Sequence, residues 1–334
     1  SRVTPTGVIA LLLLANGIAT LSSEGLQIRF DQNANAYIHA LESKRALTTC
    51  PTRAEGTLSG LAVCEIGPPG APSVLIWGDH QLMAMRAGFE EAADRAGVSG
   101  IMIAQPDCVP LDGLQTRFSE TRGSSGRGCD QHSAQVMQSL SHLSSVKQVT
   151  IVGDWHFYTG GEQSDFGKRG PIRLGPIDGT PIDLSMQADY VATAATETVV
   201  QLVESGLRVS VIRQVPMQPH FDAEVAARAE APGSWLYSDM PHLSIDVSKE
   251  EAIARHAPVD RMFRDLSTKG LLHYVDTWPR LCSASLCSAR GGLSSDYMNA
   301  TQLTPSGARA LAPILEKDML RSRTHVPYRS GTGS

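Results

Sequence analysis

The sequence predicts a three-layer α/β/α sandwich around a parallel sheet of five strands. Three observations lead there. Five short apolar runs recur along the chain, each of strand length. Stretches with apolar residues at helical spacing separate them, so neighbouring strands are joined by crossovers, not hairpins. Finally, 334 residues with 42% hydrophobic and 19% charged composition can bury a substantial core, which excludes disorder over the bulk of the chain.

The elements follow in order. Gly7 to Leu21 is an uncharged apolar run, extendable to a membrane span bounded by Arg2 and Glu24. The chain starts with Ser, not Met. The run therefore reads as the last helix of a larger membrane domain, with a signal anchor or a buried helix as alternatives. Residues 24–72 look irregular and end in Pro68, Pro69, Gly70 and Pro72. Ser73 to Trp77 is the first strand, and Leu82 to Ala96 its following helix. Gly100 to Ala104 is the second strand, followed by a loop holding Gly123, Gly126 and Gly128 and a helix from Gln131 to Leu143. Val149 to Val152 is the third strand, and a long polar loop covers Thr159 to Pro181. A helix from Met186 to Glu204 ends at Gly206, a helix-terminating glycine. Val209 to Ile212 and Leu271 to Val275 are the last two strands, with a helix from Lys249 to Leu266 between them. Ser306 to Leu320 closes the chain as a helix. The organisation is a transmembrane helix (1–24), a linker and disulfide-tied entry loop (25–72), the α/β domain (73–322) and a tail (323–334).

Six cysteines fall as three local pairs, and none has zinc-ligand spacing. Fifteen pairings are open. The local set, Cys50–Cys64, Cys108–Cys129 and Cys282–Cys287, is preferred, with buried free thiols as the alternative. A net charge of −5 and 5% aromatics give no nucleic-acid footprint.

In a parallel sheet of this kind the working site lies beyond the carboxyl ends of the strands. That selects Gly78–Gln81, Gly153–Tyr158, Gln214–Gln218 and the loop before the last helix. The first strand ends Trp77-Gly78-Asp79, and His80-Gln81 opens a helix. A strand-to-helix turn presents a side chain over the sheet edge, and free helix N–H groups there stabilise an anion.

These residues resemble the first block of SGNH/GDSL hydrolases, specifically the periplasmic SGNH domain fused behind the acyltransferase-3 membrane domain of bacterial O-acyltransferases. The resemblance runs over nearly the whole chain. It takes in the apolar run, the Cys50/Cys64 entry, Cys108-Val-Pro-Leu111, Cys129, the Trp155/Tyr158 block, the Cys282/Cys287 pair and Gln302-Leu-Thr-Pro-Ser-Gly-Ala308. It implies a flavodoxin-like SGNH sheet. It also implies O-acylation, most often O-acetylation, of a cell-envelope polysaccharide such as lipopolysaccharide O-antigen, an exopolysaccharide or peptidoglycan. An acyltransferase-3 domain in cis would supply the acyl group from the inner membrane, with the globular domain in the periplasm and no cofactor or metal in it. By the same resemblance, Gly78 and Asp79 form the turn, and Trp155 and Tyr158 line the substrate side.

The departures are as informative. His80 stands where the family has its nucleophilic Ser, Asn299 where it has Asp, and Gln302 where it has the base His. Gln cannot exchange a proton near neutral pH, and Asn carries no charge to stabilise an imidazolium. The ordinary double-displacement route is therefore expected to be disabled. The alternative function is a non-catalytic module that binds the glycan or pairs with the membrane domain.

Three rival constellations remain. Asp239-Met-Pro-His242-Leu-Ser244 has the spacing of a relocated dyad, against a plain turn before a Ser248 helix cap. Asp79, His80, Asp154 and His156 lie at neighbouring strand ends and carry atoms that could bind a divalent ion. Trp155 and Tyr158 could stack on a sugar or simply pack in the core.

Overall fold

A computed structural model of the chain describes residues 32–45, 50–118, 128–161, 172–178, 182–230 and 243–323. The apolar run at 7–21, Asp239 and His242 lie outside them. Among the described residues no helix is long and apolar enough to cross a membrane.

Helix α1 (Gln32–Arg45) comes first, then strands β1 (Val63–Ile66) and β2 (Val74–Gly78). Helix α2 (His80–Ala96) leads to β3 (Gly100–Ala104), and β4 (Leu114–Phe118) precedes α3 (Cys129–Leu140). Next are β5 (Gln148–Val152), the single turn α4 (Trp155–Tyr158), β6 (Ile172–Pro176), α5 (Gln187–Glu204) and β7 (Arg208–Ile212). Then come α6 (Ala223–Glu230), β8 (Asp246–Ser248), α7 (Lys249–Thr268) and β9 (His273–Val275). Strand β10 (Leu286–Ser288) pairs with β8, and β11 (Arg290–Gly291) forms a small hairpin with β12 (Ser294–Ser295). Helices α8 (Pro305–Ala310) and α9 (Ala312–Leu320) close the described chain.

The main sheet runs β1-β3-β2-β5-β7-β9. Its last five strands are parallel, and all five coincide with the apolar runs read from the sequence. β1 is a sixth strand, antiparallel at the β3 edge, with Val63 opposite Ile103. The expectation of an irregular 24–72 is thus corrected by α1 and β1. Strand β1 has only four residues with one exposed position, Glu65, too short for its alternation to stand out. Helix α1 buries three alanines, Ala34, Ala36 and Ala40, and one large residue, Tyr37, so its periodicity is faint. The polar loop at 159–181 likewise holds β6, which pairs antiparallel with β4 away from the main sheet. The last helix is broken at Leu311, with Pro313 at the start of its second part.

Side chains alternate along each strand, and the sheet is apolar on both faces. Val74 and Ile76 of β2 face a core with α2, α8 and α9, whereas Leu75 and Trp77 face one with α3, α5 and α7. Ser248 caps α7 as read, accepting from the Glu251 N–H at 3.1 Å. All three local disulfides are present, Cys50–Cys64, Cys108–Cys129 and Cys282–Cys287, and none of the six thiols is free.

Candidate active site

The carboxyl ends of β2, β3, β5 and β7 meet at one rim. At β2, Gly78 sits where a Cβ would lie 2.6 Å from both the Val152 carbonyl and Leu82, so the strand can turn into α2 only with glycine there. Asp79 caps α2, taking the Gln81 N–H at 2.7 Å. Its other oxygen accepts the Asp154 N–H at 3.0 Å and the Tyr158 hydroxyl at 2.7 Å. Two backbone donors at this turn, the Gln81 and Asp154 N–H groups, are therefore committed to the Asp79 carboxylate. Burial pushes the Asp79 carboxyl up, His80 nearby pulls it down, and neighbouring Asp154 raises it again.

His80 follows at the first position of α2, with 10% of its side chain exposed. Its Nε2 donates to Asp154 Oδ2 at 3.1 Å. Its Nδ1 lies 3.6 Å from Asp79 Oδ2 and 3.9 Å from Asp107 Oδ1. Both edges of the ring thus face carboxylates. Asn299 and Gln302 carry no ionisable group to partner His80, but Asp154, 74 residues along the chain, does. Asp154 is itself oriented: Gln214 Nε2 donates to its Oδ1 at 2.7 Å, and Gln214 Oε1 accepts the His156 N–H at 2.8 Å. Asp107 holds φ +59, a left-handed conformation next to the disulfide at Cys108.

Asn299 and Gln302 form a second unit. Asn299 Nδ2 donates to Gln302 Oε1 at 2.7 Å, and Asn299 Oδ1 accepts the N–H groups of Thr301 and Gln302 at 3.1 and 2.9 Å. The turn is fixed to the segment after β7 by Gln218 N–H donating to the Ala300 carbonyl at 2.8 Å. It leads into α8, which packs on α2 where Gly88 meets the Ala308 backbone. The four stretches selected from the sequence are thereby joined: Asp79 to Asp154, Asp154 to Gln214, and Gln218 to the Asn299–Gln302 turn.

Trp155 and Tyr158 are both 0% exposed. Trp155 meets Phe263 edge-on at 4.8 Å, and Tyr158 spends its hydroxyl on Asp79. Neither ring offers a face to a sugar, so the substrate-side placement of the two is corrected to core and turn support. Among the described residues no group of three or more His, Cys, Asp or Glu side chains is placed to hold a metal ion. Asp79, His80 and Asp154 instead satisfy one another.

Sequence reasoning missed Gln214 as the residue that orients Asp154, and a buried cluster behind the rim. There Arg213 lies 3.6 Å over the Trp278 ring, pairs with Asp260, and reaches Asp276 at 3.0 Å. Burial alone would lower the Arg213 guanidinium, but the two carboxylates outweigh it and leave it raised. His256 accepts the Met217 N–H on Nε2 at 3.2 Å. The only sequence signal for these was position, since Arg213 and Gln214 directly follow a strand.

The SGNH domain (fused to AT3 domains) matches residues 49–317. The periplasmic domain of a lipopolysaccharide acetyltransferase from Salmonella ser. Paratyphi A is similar in structure, with 14% identity, TM-score 0.50, and 75% of this chain and 85% of that one covered. A putative acylhydrolase from Bacteroides fragilis covers 86% and 97% at 9% identity and TM-score 0.38. The catalytic domain of Streptococcus pneumoniae peptidoglycan O-acetyltransferase A covers 77% and 97% at 9% identity and TM-score 0.33. No curated protein sequence matches the chain.

Proposed function

The chain belongs to the SGNH domains that are fused to AT3 domains, and on that premise we propose that it serves O-acyl transfer to a cell-envelope glycan without itself carrying the acyl group. It would work beside an acyltransferase-3 membrane domain in cis, on the outer side of the inner membrane. Three disulfides support an oxidising compartment. The Salmonella relative, a lipopolysaccharide acetyltransferase periplasmic domain, supports the substrate class.

One observation carries the reading. The positions of the base and its orienting carboxylate hold two amides, Gln302 and Asn299, hydrogen-bonded to each other at 2.7 Å. An amide neither takes a proton from a nucleophile nor stabilises the cation that would form. At the nucleophile position, the His80 ring is held between Asp154, Asp79 and Asp107. Nε2, which donates to Asp154, has no lone pair for attack on an acyl carbon, and Nδ1 faces the Asp79 and Asp107 carboxylates at 3.6 and 3.9 Å. The domain then positions acceptor or membrane domain, and acyl chemistry happens elsewhere.

The test is a burst assay on the full chain with p-nitrophenyl acetate, with mass spectrometry for an acetyl adduct. The parent is expected to give no burst and no adduct. The triple variant His80→Ser, Asn299→Asp, Gln302→His is expected to gain both. A parent burst that disappears in His80→Ala overturns the proposal, because His80 would then carry the acyl group.

A further inference from the structure

A groove of 260 Å³ runs between α1 and the β11–β12 hairpin. It lies beside the Asn299–Gln302 turn, because Tyr297 bridges Leu303 and the Thr304 N–H donates to the Asp296 carbonyl at 2.9 Å. Its floor includes Ala36 and Ala40, small residues that are 8% and 2% exposed and leave the space open.

The walls carry hydroxyls whose protons are already spent. Ser43 Oγ donates to the His39 carbonyl at 2.8 Å, and Ser294 Oγ donates to the Gly291 carbonyl at 3.1 Å. Thr304 Oγ1 gives its proton to the Ser295 carbonyl at 2.8 Å. The contact of 2.8 Å between Thr304 and Ser306 therefore has Ser306 as donor. A hydroxyl that donates inward still offers lone pairs outward. Ser43, Ser294 and Ser306 thus line the groove as uncharged acceptors. Leu293, 67% exposed, adds an apolar edge to the same groove.

Gln32, Asn35 and His39 of α1 add amide and imidazole groups to the same wall. Hydroxyl acceptors, amide groups and an apolar edge together suit a neutral ligand rich in hydroxyls that also has a C–H face. We propose that this groove binds one pyranose ring of the acceptor glycan. The volume sits just below the roughly 300 Å³ at which small-molecule pockets begin, which suits a single ring and not an extended chain. The proposal rests on the reading of the chain as a module of glycan O-acylation. It adds where the glycan is held and explains how a rim without a catalytic serine still takes part. The groove wall made by α1 (Gln32–Arg45) lies outside the family-matched region at 49–317.

The experiment is saturation-transfer NMR on the full chain with methyl α-D-glucopyranoside, methyl α-D-galactopyranoside and methyl α-L-rhamnopyranoside, each at tens of millimolar. At least one glycoside is expected to receive saturation from the protein. The signal should disappear in Ser43→Phe, which fills the groove, and persist in Thr196→Ala, an exposed position on α5 across the sheet. Should Ser43→Phe fail to fold by circular dichroism, Ser294→Ala, which removes one acceptor, is expected to weaken binding several-fold. Absence of transfer to all three sugars, or transfer undiminished in the Ser43 and Ser294 variants, overturns the groove assignment. Neither result touches the acyl-carrier question, which the acetyl burst decides separately.

Discussion

His256 is a histidine that folding keeps neutral. Burial, then the neighbouring His156 and Arg213, lower it to about 3 from an ordinary 6.5. The unfolded chain therefore binds a proton there below about 6.5 that the folded chain refuses until about 3. Stability tied to His256 is complete above the upper value and falls as pH drops through that window, by on the order of a few kcal/mol. His256→Gln keeps an acceptor for the Met217 N–H but cannot titrate. Urea midpoints at pH 7 and pH 4 are expected to drop much less in the variant than in the parent, and an equal drop in both refutes the assignment. At this scale the sequence was partly legible. The strand-end motif at Gly78–His80 and the amides at Asn299 and Gln302 were readable as letters. The partner of His80 was not, because Asp154 is 74 residues away and the contact depends on the parallel register of β2 and β5.

Elements were legible where they bury continuous apolar runs and illegible where they lie at an edge. All five parallel strands and the long helices between them could be read, since the hydrophobic period is strong there. Helix α1, β1 and the β4–β6 ribbon could not, being short or weakly apolar, and α6 passed unnoticed with only Ala223 and Ala226 buried. Contacts between elements are set by small residues as much as by large ones. The α2–α8 contact depends on Gly88, because a Cβ there would overlap the Ala308 carbonyl. Gly88→Ala forces the two helices apart and is expected to cost about 1–3 kcal/mol, as overpacking does. Helix α8 directly follows the Asn299–Gln302 turn, so the same variant should also shift the amide resonances of that turn. Unchanged stability together with unchanged resonances would show that the two helices slide freely.

At the scale of the whole molecule, the described residues form two large cores on opposite faces of one sheet and a small third cluster around Trp278, and a buried polar knot ties the last helix to the middle of the sheet. Asp318 of α9, 2% exposed, accepts from Gln148 Nε2 at 2.9 Å, Thr150 Oγ1 at 3.3 Å and Ser210 Oγ at 2.7 Å, and pairs with His273 Nδ1 at 2.9 Å. Serine, histidine and aspartate are together here, yet the order is wrong for catalysis: both Ser210 and His273 point at the carboxylate, and a nucleophile must instead point at its base. The knot joins β5, β7 and β9 to the last helix. Its loss would leave several buried donors unsatisfied at once, and breaking such a group from one side is strongly destabilising. Asp318→Ala is expected to lower unfolding stability by about 3–5 kcal/mol. Asp318→Asn keeps one acceptor and should cost less. Both are measured by urea denaturation with the sugar-binding signal as a control for the distant groove. If Asp318→Ala unfolds at the parent midpoint, the last helix is not pinned through this carboxylate. The α2–α8 contact at Gly88 would then be what holds the C-terminal layer, and with it the turn that carries Asn299 and Gln302.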